Sequence, residues 1–338
     1  MSSRIITVTA DQAGQTVAAI LRSHLPDSSW NGVRRMVAGR RVKVLGDLCL
    51  DAARRLREGD ALEFLARPAP KPRTHENIVI RYLDEHLVVV EKPSGLSTVR
   101  HPSEKSWNER RKRLSPTLED LVPKLIAREQ GRLPKGKLPR LRIVQRLDKE
   151  TSGLVVFART VDAERSVGRQ FRRHTVIRRY LAIVPGTLPS QRIATHLARN
   201  RGDGRRGSTT IASLGKEAIT YVEVEERLPE YTLLSCRLET GRTHQIRIHV
   251  AELGHPVCGE KVYNRSRSGD VFPDASGAPR LALHATELGL VHPVTGAALH
   301  WTMPLPADLQ ALWDRLRGRA VKSKQPSANA NPKPGHAS

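Results

Sequence analysis

At 338 residues the chain is long enough for two domains with sizeable cores, and 57 Lys and Arg against 34 Asp and Glu give a net charge of +23. A charge of that size points to a polyanionic partner, nucleic acid first, because neutralised phosphates release counterions and so drive association. No apolar run reaches membrane-spanning length, Met-Ser-Ser-Arg lacks a signal-peptide core, and Cys49, Cys236 and Cys258 are too widely spaced for a disulfide frame or a zinc site.

Residues 1–66 read as a small α+β unit. Val17, Ile20, Leu21 and Leu25 recur at helical spacing, and Ser28 or Ser29 is placed to cap a second helix that carries Val33, Met36 and Val37 and stops at Gly39. Short strands are predicted around Val42 and Val44, before a Gly46-Asp47 turn, and around Leu62 and Phe64. Arg34, Arg35, Arg40 and Arg41 lie on the second helix and its exit. They offer point charges suited to a phosphate backbone, although a charge run is more often a solvated face. Residues 67–75, with three prolines, read as a linker.

Residues 76–316 read as the larger domain. Ile78, Ile80 and Tyr82 alternate, Leu87–Val90 returns as a buried strand, and Lys92-Pro93-Ser94-Gly95 follows as a turn. Between basic segments, Leu118, Leu121, Val122, Leu125 and Ile126 predict a helix that Pro123 should start or kink. The basic stretches within 100–140 read as RNA contacts or as plain surface. At 142–159 an apolar pair, Ile143 and Val144, leads through Arg146-Leu147-Asp148 and a Thr-Ser-Gly turn into the run Leu154–Ala158. An aspartate is thus presented between two strands, a mount stiff enough for a catalytic group, though the same residues also suit an ordinary turn.

A helix with Ala163, Val167 and Phe171 inward and Arg165, Arg169, Arg172 and Arg173 outward should follow, and then a strand at 179–186. Gly202–Gly207 fits Gly-x-Gly-x-x-Gly but lacks the flanking strand and helix of a dinucleotide site, so a mobile basic loop is expected. Residues 218–226 and 231–239 alternate as an antiparallel pair. His244 and His249 are five apart with no accompanying Glu, which argues against a metal site. Leu309, Leu312, Trp313 and Leu316 mark a last helix, and 317–338 is expected to be a disordered basic tail.

Arg146-Leu147-Asp148-Lys149-Glu150-Thr151-Ser152-Gly153 resembles the signature of the RluA-type RNA pseudouridine synthases. Lys92-Pro93-Ser94-Gly95, Arg179-Tyr180, Thr240–His249, Gly254–Glu260 and Arg280–Ala285 resemble further family blocks, in the family's order. Residues 1–66 resemble an S-four-like RNA-binding module. Four positions depart from the usual pattern: Leu45-Gly46 for Asn-Gly, Gln145 for His, Arg179 for Lys, and Glu260 for Asp.

The resemblance implies an α+β catalytic domain on a mostly antiparallel sheet, acting in the cytoplasm as a monomer without metal or cofactor. Asp148 would be the catalytic carboxylate, Arg247 its ion-pair partner, and Tyr180 the surface against which the target base packs. Arg146 would fill the space the base vacates, and Arg242 would contact RNA. Large-subunit ribosomal RNA is the favoured substrate and transfer RNA the alternative. A catalytically silent RNA-binding assembly factor is the reading from another class.

Overall fold

A computed structural model describes residues 4–69, 78–131, 138–266 and 270–324, and the chain divides into two units, 1–73 and 74–338. Parts of three predicted segments therefore lie outside the described residues: the linker, the basic stretch after residue 131, and the tail from 325.

In the first unit, β1 (Arg4–Thr7) is followed by α1 (Val17–His24), α2 (Trp30–Ala38), β2 (Val42–Val44), β3 (Asp47–Leu48) and β4 (Ala61–Phe64). Thr16 and Ser29 cap the two helices by accepting hydrogen bonds from the Ala19 and Gly32 amides, at 3.2 and 3.0 Å. Val17, Ile20, Leu21, Val33 and Val37 are fully buried with Val42, Val44 and Leu62, over a wholly antiparallel sheet ordered β1-β4-β2-β3. Leu45 and Gly46, at φ +53° and +80°, make the two-residue hairpin turn between β2 and β3.

Arg40 and Arg41, expected as phosphate contacts, also bond within the unit. Arg40 Nε donates to the Ala69 carbonyl at 3.1 Å. Arg41 donates to the Leu65 and Ala66 carbonyls at 3.2 and 2.9 Å and lies over the Phe64 ring. Both tie down the exit from β4, because its backbone carbonyls are the nearest strong acceptors. Arg34 and Arg35 stay exposed on α2.

The second unit runs β5 (Val79–Leu83), β6 (Leu87–Lys92), α3 (Glu109–Leu114), α4 (Leu118–Glu129), β7 (Arg142–Ile143), β8 (Ser152–Ala158) and α5 (Val161–Arg172). It continues with β9 (Ile177–Pro185), β10 (Gln191–Ala198), β11 (Gly207–Thr209), β12 (Gly215–Arg227), β13 (Tyr231–Leu238), α6 (Gln245–Glu252), β14 (Leu283–Val291), β15 (Ala298–Thr302) and α7 (Ala307–Lys324). The strands form one large sheet ordered β11-β10-β12-β13-β9-β14-β8-β6-β5, with β15 on β14 and β7 on β8. Among the described residues every pairing in it is antiparallel except β14 with β8.

Strands β6 and β8 are apolar without alternation because both of their faces are covered. Val88, Val90, Val155 and Phe157 join the core that includes α4 and α7, whereas Leu87, Val89, Leu154 and Val156 join the one that includes Ala163 and Val167 of α5. Helix α4 starts at Leu118 through a Thr117 capping box and runs through Pro123, so proline neither starts nor ends it.

Two expectations need correction. Helix α7 continues from the predicted Leu309–Leu316 stripe to Lys324, so residues 317–324 are helical. Arg317 Nε is anchored to Glu226 Oε1 at 2.7 Å, and Arg319 donates to the Ala275 carbonyl at 3.2 Å, which gives those turns tertiary support. The Gly202–Gly207 segment is a pinned turn. Asn200 accepts from the Gly202 and Gly204 amides at 2.8 and 2.9 Å, and the nearly buried Arg201 pairs with Asp203 and Glu252.

Candidate active site

Asp148 sits where β7 ends and before β8 begins. The strands pair Arg142 with Ala158 and Ile143 with Phe157, and one step on, the side-chain oxygen of Gln145 accepts from the Val156 amide at 3.3 Å. Gln145 therefore extends the ladder where the backbone turns away.

The loop that follows is clamped by the segment after β6. Thr98 Oγ1 donates to the Leu147 carbonyl at 2.7 Å and accepts from the Leu147 amide at 3.1 Å. Ser94 donates to the Glu150 carbonyl at 2.6 Å, and the Gly95 amide to the Lys149 carbonyl at 2.8 Å. Lys92 is 1% exposed, and its Nζ donates to the carbonyls of Pro93, Leu96 and Lys149 at 2.9, 2.7 and 3.0 Å. Burial pulls its pKa down to about 7, yet three acceptors call for three N–H donors, which only the ammonium supplies. Lys92-Pro93-Ser94-Gly95, read from sequence as a turn, thus also fixes the backbone after Asp148, as Thr98 fixes the backbone before it. Past the loop, Gly153 at φ +124° crosses Ala285 so closely that a Cβ would lie 2.2 Å from its carbonyl oxygen.

The Asp148 carboxylate, 24% exposed, opens into a cavity of about 780 Å³ whose walls include Arg146, Tyr180, Arg242, His244 and Arg247. Its Oδ2 lies 3.6 Å from Arg247 Nη1 and its Oδ1 lies 3.8 Å from His244 Nε2. Both separations are longer than a direct hydrogen bond. The expected pairing of Arg247 with Asp148 is present, but it is the weaker of two. Arg247 makes a bidentate bond to buried Glu260, with Nε to Oε2 at 2.7 Å and Nη2 to Oε1 at 2.6 Å. Burial opposes the Arg247 charge, yet Glu260 and then Asp148 outweigh it and the pKa is raised. Burial likewise works against the Glu260 carboxylate, and Arg247 prevails to hold its pKa below the ordinary value.

Tyr180 comes from β9, is 7% exposed, and has its phenol pushed up to about 12, first by burial and then by the neighbouring Asp148 charge. At neutral pH it is an uncharged flat surface with a hydroxyl. Arg146 is exposed at the cavity, and Arg242 is also exposed while its Nε donates to the Glu217 carbonyl at 2.8 Å. Five of the predicted residues, Asp148, Tyr180, Arg247, Arg146 and Arg242, thus share one cavity. Arg34, Arg35, Arg40 and Arg41 belong to the first unit.

Sequence reasoning noted Glu260 as a departure without seeing its partner, and weighed His244 only as a metal ligand. His244 stands at φ +61°, a left-handed conformation costly for a residue with a Cβ, at the start of α6. Its Nδ1 is 2.7 Å from the Tyr263 hydroxyl, and burial lowers its pKa against the pull of Asp148. His249 faces elsewhere, bonded to Thr195 and Thr220 at 3.0 and 2.9 Å. The arrangement joins a partly solvated carboxylate, a guanidinium 3.6 Å from it, and an aromatic wall. These can stabilise positive charge developing on a sugar carbon, or attack it, as carboxylates do at glycosidic bonds.

A family model described as RNA pseudouridylate synthase matches residues 86–252. Ribosomal large subunit pseudouridine synthase D of Nitrosomonas europaea is 34% identical over 317 residues, covering 92% of this chain and 87% of that protein. The protein of the same description from Zymomonas mobilis is 32% identical over 323 residues, covering 94% and 98%. Among solved structures, human RNA pseudouridylate synthase domain containing 4 superposes with a TM-score of 0.55 at 24% identity, over 70% of this chain and 92% of that one. The chain belongs to the RluA-type family and is an RNA pseudouridine synthase.

Proposed function

We propose that the chain isomerises uridine to pseudouridine in large-subunit ribosomal RNA, with Asp148 as the catalytic carboxylate. The observation that carries the reading is the Asp148 carboxylate facing Arg247 at 3.6 Å in the cavity walled by Tyr180. The description shared by the Nitrosomonas and Zymomonas relatives supports the ribosomal substrate.

The reaction breaks the bond from ribose C1′ to uracil N1, turns the base, and joins C1′ to C5. C5 loses a proton and N1 gains one, so atoms balance without cofactor or oxidant. Asp148 acts as the carboxylate, with the Arg247 guanidinium 3.6 Å from it. Tyr180 holds the loosened base by stacking, and its hydroxyl can relay the proton. Arg146 occupies the gap left in the RNA, offsetting part of the few kcal/mol of unstacking. Residues 1–66 act as an S-four-like RNA-binding module, with Arg34 and Arg35 as its phosphate contacts.

The test uses unmodified large-subunit RNA carrying tritium at uridine C5, with release as the readout. Wild type should release tritium at defined positions, whereas Asp148→Asn should bind the RNA with near-normal affinity and release none. Turnover by Asp148→Asn above background overturns the role of Asp148, and release from transfer RNA alone overturns the substrate.

A further inference from the structure

Residues 100–115 carry six Lys and Arg against two Glu, and neither the turn Pro102–Glu104 nor α3 buries a residue. A six-residue helix that buries nothing has no packing to stabilise it, so local devices must. The Asn108 side chain accepts from the Arg111 amide at 2.9 Å, and the Ser115 amide closes the far end on the Arg111 and Lys112 carbonyls. The Arg111 guanidinium lies 3.9 Å over the Trp107 ring. Arg100 ties the segment to α4 through Asp120 and to the Ser115 carbonyl. The helix is thus pinned at both ends although the core gains nothing from it.

Its root is part of the cavity. Arg100, His101, Pro102 and Glu104 line the same space as Asp148. On α3 itself, Lys112 is bonded to the Glu109 carboxylate at 3.0 Å and Arg113 Nε donates to the Glu109 carbonyl at 3.3 Å, while Arg110 and Arg113, three apart and so on one face, are both exposed. An RNA with one nucleotide in the cavity must carry its neighbouring phosphates past this rim.

We propose that segment 100–115 grips the RNA strand flanking the target uridine, with Arg110 and Arg113 on its phosphates and the Trp107–Arg111 pair fixing the helix that presents them. The inference rests on the proposed RNA substrate and deepens it. A continuous polyphosphate suits this surface better than an acidic protein patch, because the cations adjoin the cavity that must receive the strand.

Binding of the full-length chain to the unmodified ribosomal fragment would be measured against salt for wild type and for the doubles Arg110→Gln/Arg113→Gln and Arg110→Lys/Arg113→Lys. Two lost contacts should make the log–log salt slope shallower by about 1.4 and weaken binding about 25-fold at 0.1 M salt, taking roughly 0.7 per single-strand phosphate. The Lys double should keep most of the slope, and Trp107→Leu should lose part of it. In the Gln double the loss should fall on affinity far more than on single-turnover rate at saturating RNA. A wild-type slope in the Gln double overturns the grip, as does a loss seen only toward an acidic protein. Failure of the enzyme reading shows separately, as wild type that binds this RNA and releases no tritium.

Discussion

Replacing Glu260 by Gln removes the charge that holds Arg247 while keeping the side chain's size. The Glu260 side chain is 1% exposed and that of Arg247 is 6% exposed, so solvent screens the pair little. Removing one partner of a buried ion pair costs about 3–5 kcal/mol, and Gln keeps one acceptor, so about 3 kcal/mol is expected. That converts to a melting point about 6–12 °C lower for a unit of this size. Arg247 then has Asp148 as its remaining close carboxylate, with a gross attraction of about 4–5 kcal/mol at 3.6 Å in an effective dielectric of about 20. The guanidinium should be drawn onto Asp148, and turnover should drop on the order of tenfold. The pH dependence has a definite sign. Arg247 depresses the folded-state pKa of Glu260, so the wild-type advantage is complete above the unfolded value of about 4.3 and fades as pH falls through the lower folded value. Urea unfolding of both proteins from pH 7 down into this range should show two curves converging toward acid. Parallel curves, or equal midpoints at pH 7, would refute the assignment of Glu260 as the partner that stabilises Arg247.

Burial is the main cause of the lowered His244 pKa, and Tyr263→Phe removes the hydroxyl 2.7 Å from Nδ1; because a donor there adds to the preference for the neutral ring, the pKa should rise part of the way while burial keeps it lowered. An NMR titration of that ring unchanged from wild type would show that the tyrosine does not donate. Lys92→Met strips a donor from three carbonyls and should cost about 2–4 kcal/mol, with single-turnover rate falling more than RNA affinity as the Asp148 loop loosens. Chemical denaturation and RNA titration check both halves, and full activity in a stable variant would dismiss the clamp. Arg146→Ala should slow turnover most on a stem-loop whose target uridine is paired, where unstacking costs a few kcal/mol. Equal losses on paired and unpaired targets would rule out a role in base extrusion.

The mount of Asp148 was legible because its determinants are local. A turn-forming stretch between apolar runs specifies the approach of β7 to β8, and the burial of β8 on both faces follows from its unbroken apolar run. What could not be read were contacts closed by the tertiary fold. Glu260 after Gly259 looks like any turn carboxylate until α6 folds back and sets it on Arg247. Lys92 looks like a solvated cation before a proline until the carbonyls of Pro93 and Leu96, and that of Lys149 from the Asp148 loop, close around the ammonium. Arg40 and Arg41 carry a second role that was equally hidden. Their charge suggested phosphates, and the fold also sets each guanidinium on backbone carbonyls at the exit from β4. The end of α7 was missed because its polar last turns gain support from Glu226 and Ala275, which sequence spacing does not display.

The division of Arg247 between two carboxylates bears on how the proposed reaction can run. A carboxylate bound bidentately by arginine is held ionised, but its lone pairs are spent on N–H donors and its reactivity is quenched. Here Glu260 takes Nε and Nη2, one edge of the guanidinium, and leaves Nη1 toward Asp148 at a distance too long for a hydrogen bond. Asp148 thereby faces a cation without the bond that would tie it down. His244 faces the other oxygen at a similar remove, held from behind by Tyr263. In the proposed reaction, a carboxylate aimed by a clamped backbone, with both close side chains beyond hydrogen-bond distance, is the group that would meet the sugar carbon. Glu260 is what lets the arginine serve it from a distance, and for that reason the buried pair belongs to the site as much as to the core.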